Sequence, residues 1–157
     1  YLSNFREVSR NRYFSFLFLR GKFMNKKVLL YYVLSFTWGL PMTLIGCIAM
    51  LVLICIGYKP KKFKHMYYIE TKGSWGGVTL GCFIFTCKNP SQSLLEHESG
   101  HTLQNIMFGP LMPFIVAIPS CIRYWFRQFT QPTTIYDGIW FEHQATDLGY
   151  RMDNIFK

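Results

Sequence analysis

Acidic residues are scarce: eight Asp and Glu stand against 17 Lys and Arg, leaving a formal charge of +9 over 157 residues. Such an excess could serve nucleic acid, but that use wants basic residues and aromatic platforms spread over a folded surface. Here the basic residues are bunched. Residues 1–27 hold seven against one Glu, and Lys59, Lys61, Lys62 and Lys64 add four more. From residue 65 onward six basic residues meet seven acidic ones, so the remainder is nearly neutral. Nucleic acid is not an expected partner. Cysteines at metal or redox spacing are lacking too: Cys47, Cys55, Cys82, Cys87 and Cys121 are odd in number and form no C-x-x-C. Neither a disulfide framework nor a cysteine zinc site is expected, and the five read as free, buried small hydrophobes.

Charge is missing altogether from Val28 to Tyr58, 31 positions, where roughly 20 apolar residues span a bilayer. The run is too long for a signal-peptide core, and no A-x-A-like site precedes Lys59. It reads as a retained transmembrane segment, with cationic flanks suited to anionic headgroups. Gly39-Leu40-Pro41 interrupts it. Three arrangements stay open: one kinked span, a short interfacial helix (Val28–Trp38) feeding a spanning helix (Met42–Tyr58), or a re-entrant hairpin. Met24-Asn25-Lys26-Lys27 resembles a translation start or a membrane-entry signal, so the basic leader, residues 1–27, is assigned no function and its first 23 residues read as a partial leader or upstream read-through.

After Lys64, Met66–Glu70 and Val78–Thr86 are rich in aromatic and β-branched residues, and Lys72–Gly77 supplies turn chemistry between them. This predicts a β-hairpin, its second strand buried on both faces or beside a partner. Such a strand could also accept an extended peptide at its edge.

Only four histidines are present, and two of them fall in His97-Glu98-Ser99-Gly100-His101. Residues four apart share a helix face, so His97 and His101 can hold one ion. Glu98, rotated by about 100°, is placed to address water rather than to ligate. The spacing is that of a zinc metallopeptidase helix. Ser93 with Glu96 reads as a capping box, and Gly109-Pro110 as the stop. Asn105–Ile122, punctuated by Pro110, Pro113 and Pro119, predicts a partly helical apolar platform, and Arg123–Arg127 resembles an interfacial anchor. Asp137-Gly138 opens a last helix from Ile139 to about Tyr150, ended by Gly149. That helix offers Glu142, His143 and Asp147 as a third ligand, which zinc in a peptidase requires. An unpaired Glu142 beside Trp140 and Phe141 would be costly, so a metal partner suits it.

Taken together, His97–His101 and Glu142-His143-Gln144-Ala145-Thr146 resemble the gluzincin group of zinc metallopeptidases. Its membrane-associated members follow the H-E-x-x-H helix with a second helix bearing E-x-x-A-D. The resemblance implies Zn²⁺ as cofactor, His97, His101 and Glu142 as ligands, Glu98 as general base, and Ala145 as the small residue where the helices meet. Thr146 stands where the group carries Asp, so that outer carboxylate is lost or displaced to Asp147. His143, one residue off the family position, is the alternative ligand. Ser35–Pro41 (SFTWGLP), His97–Trp125 and Glu142–Gly149 further resemble a group of short bacterial membrane proteins, which implies the bacterial cytoplasmic membrane.

The expected fold is therefore α+β. A transmembrane segment (28–58) precedes a minimal zincin-like domain (59–157) of β-hairpin, H-E-x-x-H helix, Pro-rich platform and second ligand helix. The expected function is a membrane-tethered metallopeptidase that cuts a peptide or protein substrate near the bilayer, with zinc-activated water and Glu98 as general base. The alternative, favoured by Thr146, is a non-catalytic membrane protein, an assembly or immunity-type factor, with a structural or vestigial metal site.

Overall fold

The structure, a computed structural model, describes residues 25–73, 75–130 and 138–157. Most of the basic leader lies outside these residues, as does Asp137. Among the described residues the fold is mixed α+β, with five α-helices and a four-stranded sheet. The helices are α1 (Lys26–Phe36), α2 (Leu40–Cys55), α3 (Gln92–Phe108), α4 (Ile118–Thr130) and α5 (Trp140–Ile155). The strands are β1 (Lys61–Phe63), β2 (Met66–Glu70), β3 (Gly77–Leu80) and β4 (Phe83–Thr86).

The sheet departs from the predicted hairpin. Its order is β1-β2-β4-β3, with β2 parallel to β4 and both outer pairs antiparallel. Val78–Thr86 is two strands rather than one, because Gly81 takes φ +66 at the first position of a two-residue turn between Leu80 and Phe83. That conformation suits glycine and a tight hairpin turn. The Lys-rich segment after the apolar run is strand β1, which returns to β2 through Lys64 at φ 50.

Strand β4 is buried on both faces, as its unbroken apolar composition predicts. Ile84 packs with Met66, Val28, Tyr31, Leu103 and Met152, so α1, α3 and α5 cover one side of the sheet. Phe85 packs with Ile69 and Met50, so α2 covers the other. The contact of α2 is close: a Cβ on Gly46 would lie 2.1 Å from the Leu80 carbonyl oxygen, and one on Gly81 2.3 Å from the Thr43 Cα. Of the cysteines, all free, only Cys82 is buried; Cys55 and Cys121 are exposed, which corrects the expectation of five buried thiols.

Among the described residues no single helix is long and apolar enough to cross a membrane. Two pairs reach that length and apolarity only when taken together, and they are bent: α1–α2 by 91°, and residues Gln92–Leu111 with Pro113–Arg127 by 116°. The expected transmembrane segment over Val28–Tyr58 is thus two helices at nearly a right angle, broken where Gly39-Leu40-Pro41 interrupts the run. The prolines of the platform do not break it into loops. Pro110 and Pro113 sit in the first turns of a 3-10 segment (Gly109–Leu111) and a π segment (Pro113–Ala117), and Pro119 is the second residue of α4. At Pro110 and Pro113 a first-turn N–H has no helical partner to lose, and Pro119 falls where the π segment passes into α4.

Candidate metal centre

Helix α3 starts two residues earlier than the capping-box reading placed it. Ser91, extended at ψ 155, is the N-cap, and its Oγ accepts from the Leu94 N–H at 3.1 Å. Ser93 lies inside the helix, where its own backbone is already helical and cannot cap. Gly109, at φ 54, ends α3 as expected. Helix α5 also runs further than predicted, to Ile155. Gly149 is not its end but a contact: a Cβ there would meet the Glu96 carbonyl oxygen at 1.9 Å. A Cβ on Gly100 would meet the Ala145 carbonyl oxygen at 1.8 Å. The two glycines let α3 and α5 touch backbone to backbone at two levels.

This contact brings His97, His101 and Glu142 together. One ligand atom from each lies within 4.8 Å of the others. Glu142 Oε2 is 3.1 Å from His97 Nε2 and 3.4 Å from His101 Nε2. With metal–nitrogen bonds of about 2.0–2.1 Å, ligands on a tetrahedral ion stand about 3.3 Å apart. Glu142 is fully buried, and among the described residues its Oε2 faces the two imidazole Nε2 atoms without a hydrogen bond of proper geometry to any group. A buried carboxylate oxygen without a partner is costly, and an ion between these three atoms would satisfy it. The group could hold a metal ion.

The atoms behind the ligands are arranged to the same end. Gln104 donates through Nε2 to the Phe141 carbonyl at 2.7 Å and to Gln144 Oε1 at 3.0 Å. Its Oε1 therefore accepts from His101 Nδ1, 2.8 Å away. Thr146 donates its hydroxyl proton to the Glu142 carbonyl at 3.2 Å, so its oxygen accepts from His97 Nδ1 at 2.8 Å. Both imidazoles then carry hydrogen on Nδ1, which leaves Nε2 of each, the atom facing Glu142, as the one that could bind a metal ion. Ser120 on α4 donates to Glu142 Oε1. Thr146 thus does what an Asp would do at its position, holding His97 by a neutral acceptor.

The remaining sequence candidates are elsewhere. His143 is on the exposed side of α5, and Asp147 pairs with Arg151 at 2.8 Å. A helix turns about 100° per residue, so a neighbour of Glu142 faces away from α3. Glu98 lies beside the group but is not among its three residues. It is buried, and its Oε2 accepts from the Thr79 hydroxyl at 2.7 Å. The same hydroxyl also reaches the Glu98 carbonyl, at 2.9 Å. A Cβ on Gly77 would stand 2.5 Å from Glu98 Oε1, so only glycine lets β3 approach it. A cleft of about 200 Å³ runs past these residues, walled by β3 on one side and by Met112, Val116, Ala117 and Tyr124 on the other.

Sequence reasoning passed over Gln104, Ser120 and Thr79. Gln104 had a local signal, being three residues from His101 on the same face. Ser120 and Thr79 had none, since each meets its partner across about 20 residues of chain.

Electrostatics couple the three residues. Burial pulls the His101 imidazole down, but the facing carboxylates of Glu142 and Glu98 outweigh it and raise its pKa above the ordinary 6.5. Burial pushes Glu142 up, but His101, His97 and Ser120 together hold it well below its ordinary 4.5. The signs predict the pH behaviour of the metal-free protein. Glu142 stabilises it above pH 4.5, and that contribution is lost as pH falls through the lowered value. His101 stabilises it below pH 6.5, and that contribution is lost as pH rises through the raised value. Metal-free protein should be most stable between these limits, and its melting temperature should fall on going to about pH 8. Metal-loaded protein should respond less to that rise, because protons compete with the ion for the same atoms. Thermal scans with and without chelator at the two pH values check this.

Thr146→Val keeps the side chain's shape and removes the oxygen behind His97. We expect metal affinity to fall roughly 10–100-fold, the usual effect of losing such a partner, with little change in helix content; a metal titration followed by circular dichroism measures both.

Set against family models, curated proteins and solved structures, this chain matches none. Its class therefore rests on its own geometry: an α+β domain in which two helices converge a His–His–Glu group that could hold a metal ion.

Proposed function

We propose that this chain is a membrane-held zinc metallopeptidase of gluzincin type, with His97, His101 and Glu142 as ligands and Glu98 as general base. The observation that carries the reading is the convergence of a buried Glu142 Oε2, which makes no hydrogen bond of proper geometry, on two imidazole Nε2 atoms on H-E-x-x-H spacing. Two histidines and one carboxylate form a donor set suited to catalytic zinc, which takes three protein ligands and leaves one position open. A zinc ion held there supplies Lewis-acid activation of water and of a substrate carbonyl.

The chain's own residues do the rest. Gln104 and Thr146 orient the imidazoles, and Ser120 fixes Glu142. Thr79 holds Glu98 Oε2, which leaves Oε1, on the side of Gly77, to take a proton from the attacking water and deliver it to the departing amine. The edge strand β3, hydrogen-bonded only to β4 within the sheet, runs along the cleft and can align an extended peptide by its main chain. The apolar surface of α1, α2 and α4, with lysines at both ends of the α1–α2 run, supports attachment to a bilayer.

The test is metal content. Wild-type protein purified without chelator should carry one zinc per chain, and His101→Ala and Glu142→Ala should each lose most of it. Absence of metal from the wild type would remove both the peptidase and the structural-site readings. Retention of zinc by Glu142→Ala would remove Glu142 as the third ligand.

A further inference from the structure

The α1–α2 pair is the chain's longest uncharged run, yet its packing does not suit a span. At about 1.5 Å per residue the 11 residues of α1 and 16 of α2 extend roughly 16 and 24 Å, each short of the ~30 Å hydrocarbon core. The bend between them is held from outside. Asn105 Nδ2 donates to the Gly39 carbonyl at 3.3 Å and to Thr43 Oγ1 at 3.2 Å. The Trp38 indole lies against Gly109, where a Cβ would be 2.2 Å from it. The first bend is therefore clamped onto the end of α3, and straightening it would strip buried hydrogen bonds.

The decisive feature is what α2 lies on. Its buried residues Met42, Thr43, Gly46 and Met50 follow one face, and with Leu53 and Tyr58 they run along the sheet from Leu80 to Ile69 and Phe85. A membrane-spanning α2 would drag that sheet to bilayer depth, with Lys61 and Lys62 on one edge strand and unpaired backbone on the other. Open sheet edges do not occur in hydrocarbon. The opposite face of α2 carries Leu44, Ile45, Ile48, Leu51 and Val52, each more than half exposed. On α1, which packs on the other side of the sheet, Leu29, Leu30 and Val33 are about half exposed. Lys26 and Lys27 stand at one end of the pair and Lys59, Lys61 and Lys62 at the other, charges complementary to anionic headgroups.

We infer that α2 enters one leaflet sideways by its exposed face, lying along the membrane plane and not crossing it, so that the chain is monotopic and both lysine clusters stay on the same side of the membrane. The occupant of the exposed apolar face is the acyl region of an anionic leaflet. This rests on the membrane half of the functional reading and is independent of its metal chemistry. The site's β3 and α3 then stay in water, on the far side of α2 and the sheet from the lipid.

Two measurements on the full chain test it. In the first, Lys26→Cys and Lys59→Cys are each made in a Cys55→Ser, Cys121→Ser background, and intact spheroplasts are treated with a membrane-impermeant maleimide. Both positions should label alike, within about twofold, either before lysis or only after it. Labelling of one before lysis and the other only after it would overturn the inference while leaving membrane attachment intact. In the second, purified protein is floated with vesicles of phosphatidylethanolamine and phosphatidylglycerol. Wild type should float, and Ile48→Glu with Leu51→Glu, both at exposed positions, should reduce flotation about tenfold or more. Equal flotation of the two proteins would overturn the lipid-facing role of α2. Failure of the wild type to float would overturn both the inference and the membrane attachment, and zinc content would still report separately on the metal site.

Discussion

Replacing Glu98 by Gln is expected to leave one zinc per chain and to lower peptide hydrolysis by roughly 10²–10⁴-fold, the usual worth of a positioned general base. The two parts of that result come from different atoms. Metal would be held by His97, His101 and Glu142, none of which the substitution alters. Gln keeps an oxygen that can accept from Thr79, as Glu98 Oε2 does at 2.7 Å, so α3 stays seated against β3. What it cannot do at neutral pH is take a proton. The loss should fall on kcat, with KM little changed, because the group acts only as the bond is made and broken. Peptide-library digestion read by mass spectrometry, alongside metal analysis, gives both numbers. If wild type and variant were equally inert with zinc bound in each, the non-catalytic reading of the site would stand instead.

The second large effect concerns the helix contact. Gly100→Ala and Gly149→Ala should each destabilise the protein by about 2 kcal/mol or more and weaken metal binding together with it. Helix propensity alone argues the reverse, since Ala in a helix interior is favoured over Gly by about 1 kcal/mol. Packing wins because the new methyl would stand 1.8 Å from the Ala145 carbonyl oxygen, or 1.9 Å from that of Glu96, where ordinary contact begins at 3.4 Å. These are backbone atoms within helices and cannot rotate aside. Overpacking of this kind typically costs 1–3 kcal/mol, and roughly more where the obstacle is rigid. The helices must part, and Glu142 moves away from His97 and His101 as they do. Thermal unfolding gives the sign: a higher melting temperature for either variant would mean that α3 and α5 do not touch there.

How much of this was legible beforehand depended on range. The spacing of His97 and His101 needs only a helix, and the helix announces itself locally through Gly109 at its stop. The uncharged stretch Val28–Tyr58 and its lysine flanks are equally local. Helix start and end were less secure. Ser91 and Ser93 are both competent caps, and which one caps depends on which has the extended backbone. Gly149 has the chemistry of a stop signal and the role of a contact, and no short-range feature separates the two.

The hairpin shows the same limit in the sheet. Met66–Glu70 and Val78–Thr86 were recognisable as extended by composition, but composition does not say what pairs with what. Gly81 at positive φ splits the second stretch, and β4, not β3, then lies beside β2. The Lys-rich β1 was hidden because its charges suit a headgroup surface as well as a sheet edge.

By itself, then, the sequence determined the identity and spacing of two candidate ligands, the candidate base between them, the uncharged run, and the mixed α+β class. These depend on periodicity and composition within one turn or one strand. Tertiary structure decided which acidic or imidazole group of the last helix joins them. It selected Glu142 over His143 and Asp147, because Gly100 and Gly149 fix how far apart and at what rotation α3 and α5 cross. It decided that Thr146 and Gln104 stand behind the imidazoles, and that Val28–Tyr58 is folded over at Gly39 by Asn105. Each of those choices is a contact between residues far apart in the chain, and its energy exists only once both partners have been brought together.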